Sequence, residues 1–265
     1  MRDALADAKR AMKRLMRILA MRGAGLVLIL SATAALGEQI FNDVNLSASG
    51  AQSCASCHDA AHAHAAPNAL PAQFGGATTP LSLQGNRVAG SIRYLSYNKA
   101  FRFESDGTPT GGFFWDGRAS SLAKQALGPF VNPVEMANAD SAAVIALLRT
   151  RPYAAAFKAL FGDAIFDDPD AAMTRVGLAL EAYQKEDSAF APFSSKYDAF
   201  LQGKTTLTEQ ERRGLAWFNS SSKGNCAACH PSSRSSDGTL PLFTDFSFDA
   251  LGVPRNWDVP SSHDD

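Results

Sequence analysis

Four cysteines stand in two copies of one arrangement, Cys54-Ala55-Ser56-Cys57-His58 and Cys226-Ala227-Ala228-Cys229-His230, and the chain of 265 residues holds no others. Two thiols three positions apart share one helical turn, where each can add to a vinyl group of the same haem. The histidine beside the second thiol then offers its imidazole to the iron. The repeated C-x-x-C-H therefore predicts two covalently bound haem c groups, with His58 and His230 as the metal ligands. Structural disulfides would give no reason for a histidine after both pairs. A four-thiolate zinc site would have to bridge the 168 residues between the pairs, far beyond the usual ribbon spacing. A thioredoxin-like redox pair wants a strand-to-helix context, and none is evident around either motif.

The elements that must position these groups are helices and loops. From Phe41 to about Phe114 the chain is broken by Gly75-Gly76, Pro80, Gly85 and Thr108-Pro109-Thr110-Gly111-Gly112. Ser120 to Leu127 begins with a serine pair suited to capping. Asp140 can cap a helix that runs through Leu148 and stops before Pro152. Pro169 marks a helix start, and Met173, Val176, Leu180 and Tyr183 continue at helical spacing to about Lys185. Thr208-x-x-Glu211 is a capping box that opens a helix through Trp217 and Phe218 and delivers the chain to the second motif. No stretch alternates persistently enough for a strand. The expected fold is mostly α and loop-rich, with two cytochrome-c-like haem domains, residues 38–190 and 191–265, joined near Asp187–Lys204.

Residues 1–37 read as an address. They carry seven Lys/Arg and two Asp/Glu, followed by a short apolar run from Gly23 to Leu36 with small-x-small cleavage options at Ala32-Thr33-Ala34 and Ala35-Leu36-Gly37. The run is shorter than the roughly 20 apolar residues of a membrane span, so contact with a membrane is expected only if the segment stays attached as an anchor. Export to a periplasm is the simplest destination. Apolar residues make up 46% of the chain and charged residues 19%, which suits a packed core and excludes a disordered chain. Beyond residue 37 the charge is about −6, eighteen basic groups against twenty-four acidic. That balance excludes nucleic acid as a partner.

The middle of the chain carries a more specific signal. The segment Phe113-Phe114-Trp115-Asp116-Gly117-Arg118, with Leu122, Gln125-Ala126, Gly128-Pro129 and Asn132-Pro133-Val134-Glu135-Met136, resembles the bacterial dihaem cytochrome c peroxidases and their relative, the methylamine-utilisation dihaem oxidase. The ten-residue intervals from Trp115 to Gln125 and from Gln125 to Glu135 match that family, as do Thr208 to Phe218, Phe243-Thr244-Asp245-Phe246 and Leu251-Gly252-Val253-Pro254. The resemblance covers roughly residues 40–258. It implies hydrogen peroxide as substrate and a small electron-donor protein, such as cytochrome c, as partner. Glu135 then matches the general acid–base of the N-terminal haem, Gln125 its distal amide, and Trp115 the relay between the haems. Electrons would enter at the haem of Cys226, Cys229 and His230. The family also pairs as homodimers. Without the resemblance, Glu135 and Gln125 would read as solvated polar residues, Trp115 as a core aromatic, and Asp116 and Arg118 as partners within a turn.

Three departures shape the expectation. Many family members close the first haem with a distal histidine on a following loop, but no histidine lies between His64 and His230. His62 and His64 read as loop or surface residues, and Pro80 and Gln84 occupy the region of that ligand. The first haem is therefore expected to stand open without reductive activation, or to be closed by a different group. Calcium in the family uses an asparagine after an arginine matching Arg87, whereas Val88 follows here, leaving only carbonyls and water for such an ion. Finally, the 35 residues after His230 contain neither the methionine nor the tyrosine that the family places on the second iron. Met136 belongs beside Glu135, Met173 to a helix core, and His263 to a polar tail. A shortened second domain is the expectation from that pattern. Two alternatives accompany the peroxidase: a dihaem oxidase acting on a protein substrate through high-valent iron, and a dihaem electron carrier without turnover.

Overall fold

The computed structural model describes residues 29–259. It is mostly helical. In chain order the helices are α1 (29–42), α2 (Cys54–Cys57), α3 (Leu122–Val131), α4 (Ser141–Leu148), α5 (Ala154–Phe161), α6 (Pro169–Glu186), α7 (Lys196–Leu201) and α8 (Glu209–Asn219). The only sheet among the described residues is two short antiparallel hairpins. β1 (Phe74–Gly75) pairs with β2 (Leu83–Gln84), and β3 (Arg102–Phe103) with β4 (Pro109–Thr110).

Helix starts follow their capping residues. Ser121 accepts the Lys124 amide at the head of α3, Asp140 the Ala143 amide at α4, and Asp168 the Asp170 and Ala171 amides at α6, where Pro169 fills the first turn. Thr208 and Glu211 form the reciprocal box of α8. Two ends differ from the sequence expectation. Helix α3 continues past Leu127 through Pro129 to Val131, and Pro129, with no N–H to give, uses its carbonyl to accept the Met136 amide at 3.1 Å. Helix α7 starts inside the stretch expected to join the domains, on a box of Ser195 and Asp198.

Helix α6 is the centre of the packing. Gly177 lets it approach α3 so closely that a Cβ there would stand 2.6 Å from the Ala123 carbonyl, and a Cβ on Gly37 of α1 would collide with the Ala179 carbonyl. Around these contacts Leu36, Ile40, Phe130, Leu148, Phe157, Val176 and Leu180 are almost wholly buried. The segment set aside as an address is thus partly structural. Its described portion, 29–37, is helix, and Leu36 lies in the core, whereas the basic residues and the apolar run up to residue 28 lie outside the described residues. No helix among the described residues is long and apolar enough to cross a membrane.

The start of α5 is tied to the end of α1. Tyr153, nearly buried, donates its hydroxyl to Asp43 at 2.8 Å. Burial pushes the Asp43 carboxyl up, but the bonds from Asn45 and Tyr153 and the charge of Arg151 outweigh it and hold the group below the usual carboxylate range. A carboxyl depressed in the folded state stabilises at pH values above its unfolded pKa, and that contribution disappears as pH falls through the folded value. We expect Tyr153→Phe to cost about 1.5–3 kcal/mol at neutral pH, the range for a hydrogen bond to a charged group. In urea unfolding the gap to wild type should narrow as the pH is taken below the ordinary carboxylate range.

Residues after 190 add nothing to the two hydrophobic clusters of the described chain. Trp217, Leu251 and Val253 are exposed. This part returns to the first through backbone bonds: the Gly111 amide donates to Phe246 at 2.8 Å and the Phe248 amide to Pro109 at 2.9 Å, so residues 246–248 lie along the β3–β4 hairpin.

Candidate haem sites

Helix α2 is a single turn, and Ser53 and Ser56 cap each other's backbone at its start. It presents the half-buried thiols of Cys54 and Cys57 to one wall of a cavity of about 610 Å³. Burial pushes the Cys54 thiol up to about 12 and the Cys57 thiol up to about 11. His58 follows on the same wall, and its Nδ1 lies 3.2 Å from the His64 carbonyl. A carbonyl only accepts, so Nδ1 carries the proton and Nε2 keeps its lone pair. Burial also holds the His58 imidazole below its ordinary pKa, favouring the neutral form that ligates metal.

The same cavity collects the three residues expected to do chemistry, Glu135, Gln125 and Trp115. Gln125 sits half-buried on α3. Glu135 lies in the turn just after α3, held by its backbone from three directions. Its amide donates to Asn132 at 3.0 Å, and its carbonyl accepts the Gly76 amide at 2.9 Å and the side-chain amide of Gln52. Gln52 is buried and stands two residues before Cys54, so the attachment motif and the carboxylate turn are fastened together. Burial pushes the Glu135 carboxyl up, with Arg118 and Asn132 pulling back, for a net rise. A carboxyl raised toward neutrality suits proton transfer in both directions.

Trp115 is not a core aromatic. It is 59% exposed at the cavity rim, its indole N–H donates to Val88 at 3.0 Å, and its ring covers Gly90. Asp116 and Arg118 are partners of the turn, joined at 2.6 Å, with Arg87 reaching Asp116 at 3.3 Å and Arg118 lying over the Phe114 ring at 3.7 Å. Among the described residues no group of three or more His, Cys, Asp or Glu is placed to hold a metal ion. Gln84 is turned to the Asp258 carbonyl and does not line the cavity, and His58 is the one imidazole among the described residues on its wall.

The chemistry of the cavity fits a haem. It offers two thiols on one turn, the His58 imidazole, and a buried Gln184 carbonyl oxygen that has no protein partner. The second motif repeats the donor set: the His230 Nδ1 donates to the Phe243 carbonyl at 2.8 Å. Cys226, Cys229 and His230 are exposed, with Phe218 and Tyr197 packed on the Phe243 ring.

Sequence reasoning missed several positioning residues. It read His62 and His64 alike, but only His62 is a surface residue, paired with Asp59 at 2.6 Å. His64 is 2% exposed, because its ring stacks on Phe190 with centroids 4.1 Å apart. No periodic pattern marks it. Gly75 was read only as a loop breaker, yet a Cβ there would strike the Val134 carbonyl and stand 2.6 Å from that of Glu135. We expect Gly75→Ala to cost about 1–3 kcal/mol while leaving two covalent haems, measured by thermal unfolding and a haem stain.

The chain belongs to the di-haem cytochrome c peroxidase family, whose pattern it matches over residues 31–206. It is 40% identical to the methylamine utilization protein MauG of Paracoccus denitrificans over 232 residues, covering 85% of this chain and 58% of that protein. It is 31% identical to the cytochrome c551 peroxidase of Pseudomonas aeruginosa, covering 74% and 49%. The diheme peroxidase BthA of Burkholderia thailandensis superposes with a TM-score of 0.81 at 39% identity, covering 88% of this chain and 57% of BthA. The chain thus spans about half to three-fifths of the length of these relatives. The two C-x-x-C-H motifs of the chain supply attachment for the two c-type haems of that family.

Proposed function

We propose that the protein is a periplasmic dihaem peroxidase that reduces hydrogen peroxide to two waters with two protons and two electrons from a small soluble redox protein such as cytochrome c. The observation that carries this reading is the single cavity shared by Cys54, Cys57, His58, Gln125 and Glu135, with Trp115 on its rim. Haem held there supplies an iron at which the peroxide O–O bond is cleaved. Glu135 takes the proton from one peroxide oxygen and returns it to the departing oxygen, its position fixed by the Gln52 and Gly76 bonds to its carbonyl. The Gln125 amide orients the bound peroxide. A second haem would be held by Cys226, Cys229 and His230 and would supply the electrons, with Trp115 as the relay residue between the two groups. Incubating the haem-loaded chain with peroxide and reduced cytochrome c should oxidise two cytochromes per peroxide. Absence of peroxide-dependent oxidation would overturn the reading.

A second reading, an oxidase acting on a protein substrate, is favoured by one observation. Apart from His58 no described imidazole reaches the cavity, so nothing of that kind closes its distal face. A fully oxidised protein that reacts with peroxide yet turns over no small donor would select it.

A further inference from the structure

The turn behind α3 is bonded at three points to the segment that runs into the first attachment motif, and the three bonds follow one another in antiparallel order. Asn138 Nδ2 donates to the Leu46 carbonyl at 2.9 Å, the Ala48 amide donates to the Met136 carbonyl at 2.9 Å, and the Gln52 side-chain amide donates to the Glu135 carbonyl. Two of the three donors are side-chain amides with almost no exposure, 5% at Asn138 and 3% at Gln52. A buried amide is costly unless its bonds are made, and an apolar residue of like size could fill either place. Both amides are there for what they hold.

Asn138 also reaches a third piece of the fold. Its backbone amide and its Nδ2 both donate to the Phe130 carbonyl at 2.9 Å, at the end of α3, where the last carbonyls have no partner within the helix. One side chain thus joins α3, the turn and the segment from Leu46. Gln52 works at the other end of that segment, which is folded on Ser47: its Oγ donates to the Val44 carbonyl at 2.8 Å and accepts the Gln52 backbone amide at 3.4 Å. From Cys54, two residues of chain and one hydrogen bond lead to Glu135.

We propose that Gln52 and Asn138 are positioning residues for Glu135: they tie its turn to the backbone that carries Cys54, so that the carboxyl keeps one place relative to a haem attached there. The side-chain bonds of both residues end on backbone carbonyls. Their effect on proton transfer therefore passes through where the turn sits and not through contact with the reacting atoms. The inference rests on the reading of Glu135 as the proton-transferring group.

The test uses the haem-loaded full chain. Gln52→Met and Asn138→Leu keep the bulk of each side chain and remove its donors. A misplacement of about 1 Å costs a reacting group on the order of 10²-fold, so each variant should lower kcat/KM for peroxide by about 10- to 10²-fold while a haem stain still shows two covalent haems. The deciding variant combines Gln52→Met with Glu135→Gln. Residues that act through one another are not additive, so the double variant should fall no further than Glu135→Gln alone. Losses that multiply would assign Gln52 a general structural role and overturn the inference, as would wild-type turnover in Gln52→Met. Asn138 joins three elements, and if its variant does not fold, the Gln52 pair decides. Wild-type turnover in Glu135→Gln would instead overturn the reading of Glu135, an outcome seen in that single variant.

Discussion

Glu135→Gln is expected to lower kcat/KM for peroxide by about 10²–10⁴-fold, the contribution of a positioned general acid–base, with both haems still attached. Glutamine keeps the shape of the side chain and an oxygen for the Asn132 bond, and the Gly76 and Gln52 bonds that hold this turn go to the Glu135 backbone. The fold of the turn should therefore survive, and the loss is one of proton transfer. The pH profile gives a second signature. Burial raises the Glu135 pKa, and the group must first accept a proton, so wild-type kcat/KM should fall as pH drops through a value above the ordinary carboxylate range. The variant should lack that limb. Stopped-flow measurement across pH checks both, and a variant that retains turnover would remove Glu135 from the chemistry.

Phe130→Ala is expected to have the largest effect on stability. The side chain is wholly buried in the α3–α6 packing, beside Val176 and Leu180 in the same core cluster. Deleting a buried phenyl group costs about 3–5 kcal/mol, part lost transfer energy and part cavity. For a chain of this size each kcal/mol lowers Tm by about 2–4 °C, so the expected fall is roughly 6–20 °C. The neighbouring Val131, on the exposed side of the same helix, is the control: its alanine variant should stay within about 0.5 kcal/mol of wild type. The Phe130 carbonyl accepts both the backbone and side-chain amides of Asn138, at 2.9 Å each, so loosening this helix also loosens the loop that carries Glu135. Thermal unfolding of the haem-loaded variants distinguishes the two positions.

The parts legible in the sequence are those with local chemistry. Asp140, Pro169 and the Thr208–Glu211 box announce their helices because a cap is a contact within four residues. The candidate site was legible for a different reason: attachment needs a fixed spacing, and the ten-residue steps from Trp115 to Gln125 to Glu135 are carried by α3 and the turn behind it. What stayed hidden depends on contacts distant in sequence. The small apolar residues of 29–37 satisfy an export signal as well as a helix, and only Ala179, far along the chain, explains why Gly37 has no side chain. The helix read from Ser120 to Leu127 runs on through Pro129 to Val131, where the Met136 amide, from beyond the helix, bonds the Pro129 carbonyl. Ser195-x-x-Asp198 carried a readable capping signal inside the stretch taken as a joint. His64 had none, since stacking on Phe190 and a bond to Arg93 leave no trace at either residue alone.

The central claim is an open, reactive haem beside Glu135, and it is tested most directly by the absorption spectrum of the haem-loaded protein before and after one equivalent of hydrogen peroxide, fully oxidised and then half-reduced. The expected result is a high-spin ferric band that is lost when peroxide is added to the oxidised protein, without prior reduction. Two low-spin haems whose spectra ignore peroxide in both states would contradict it.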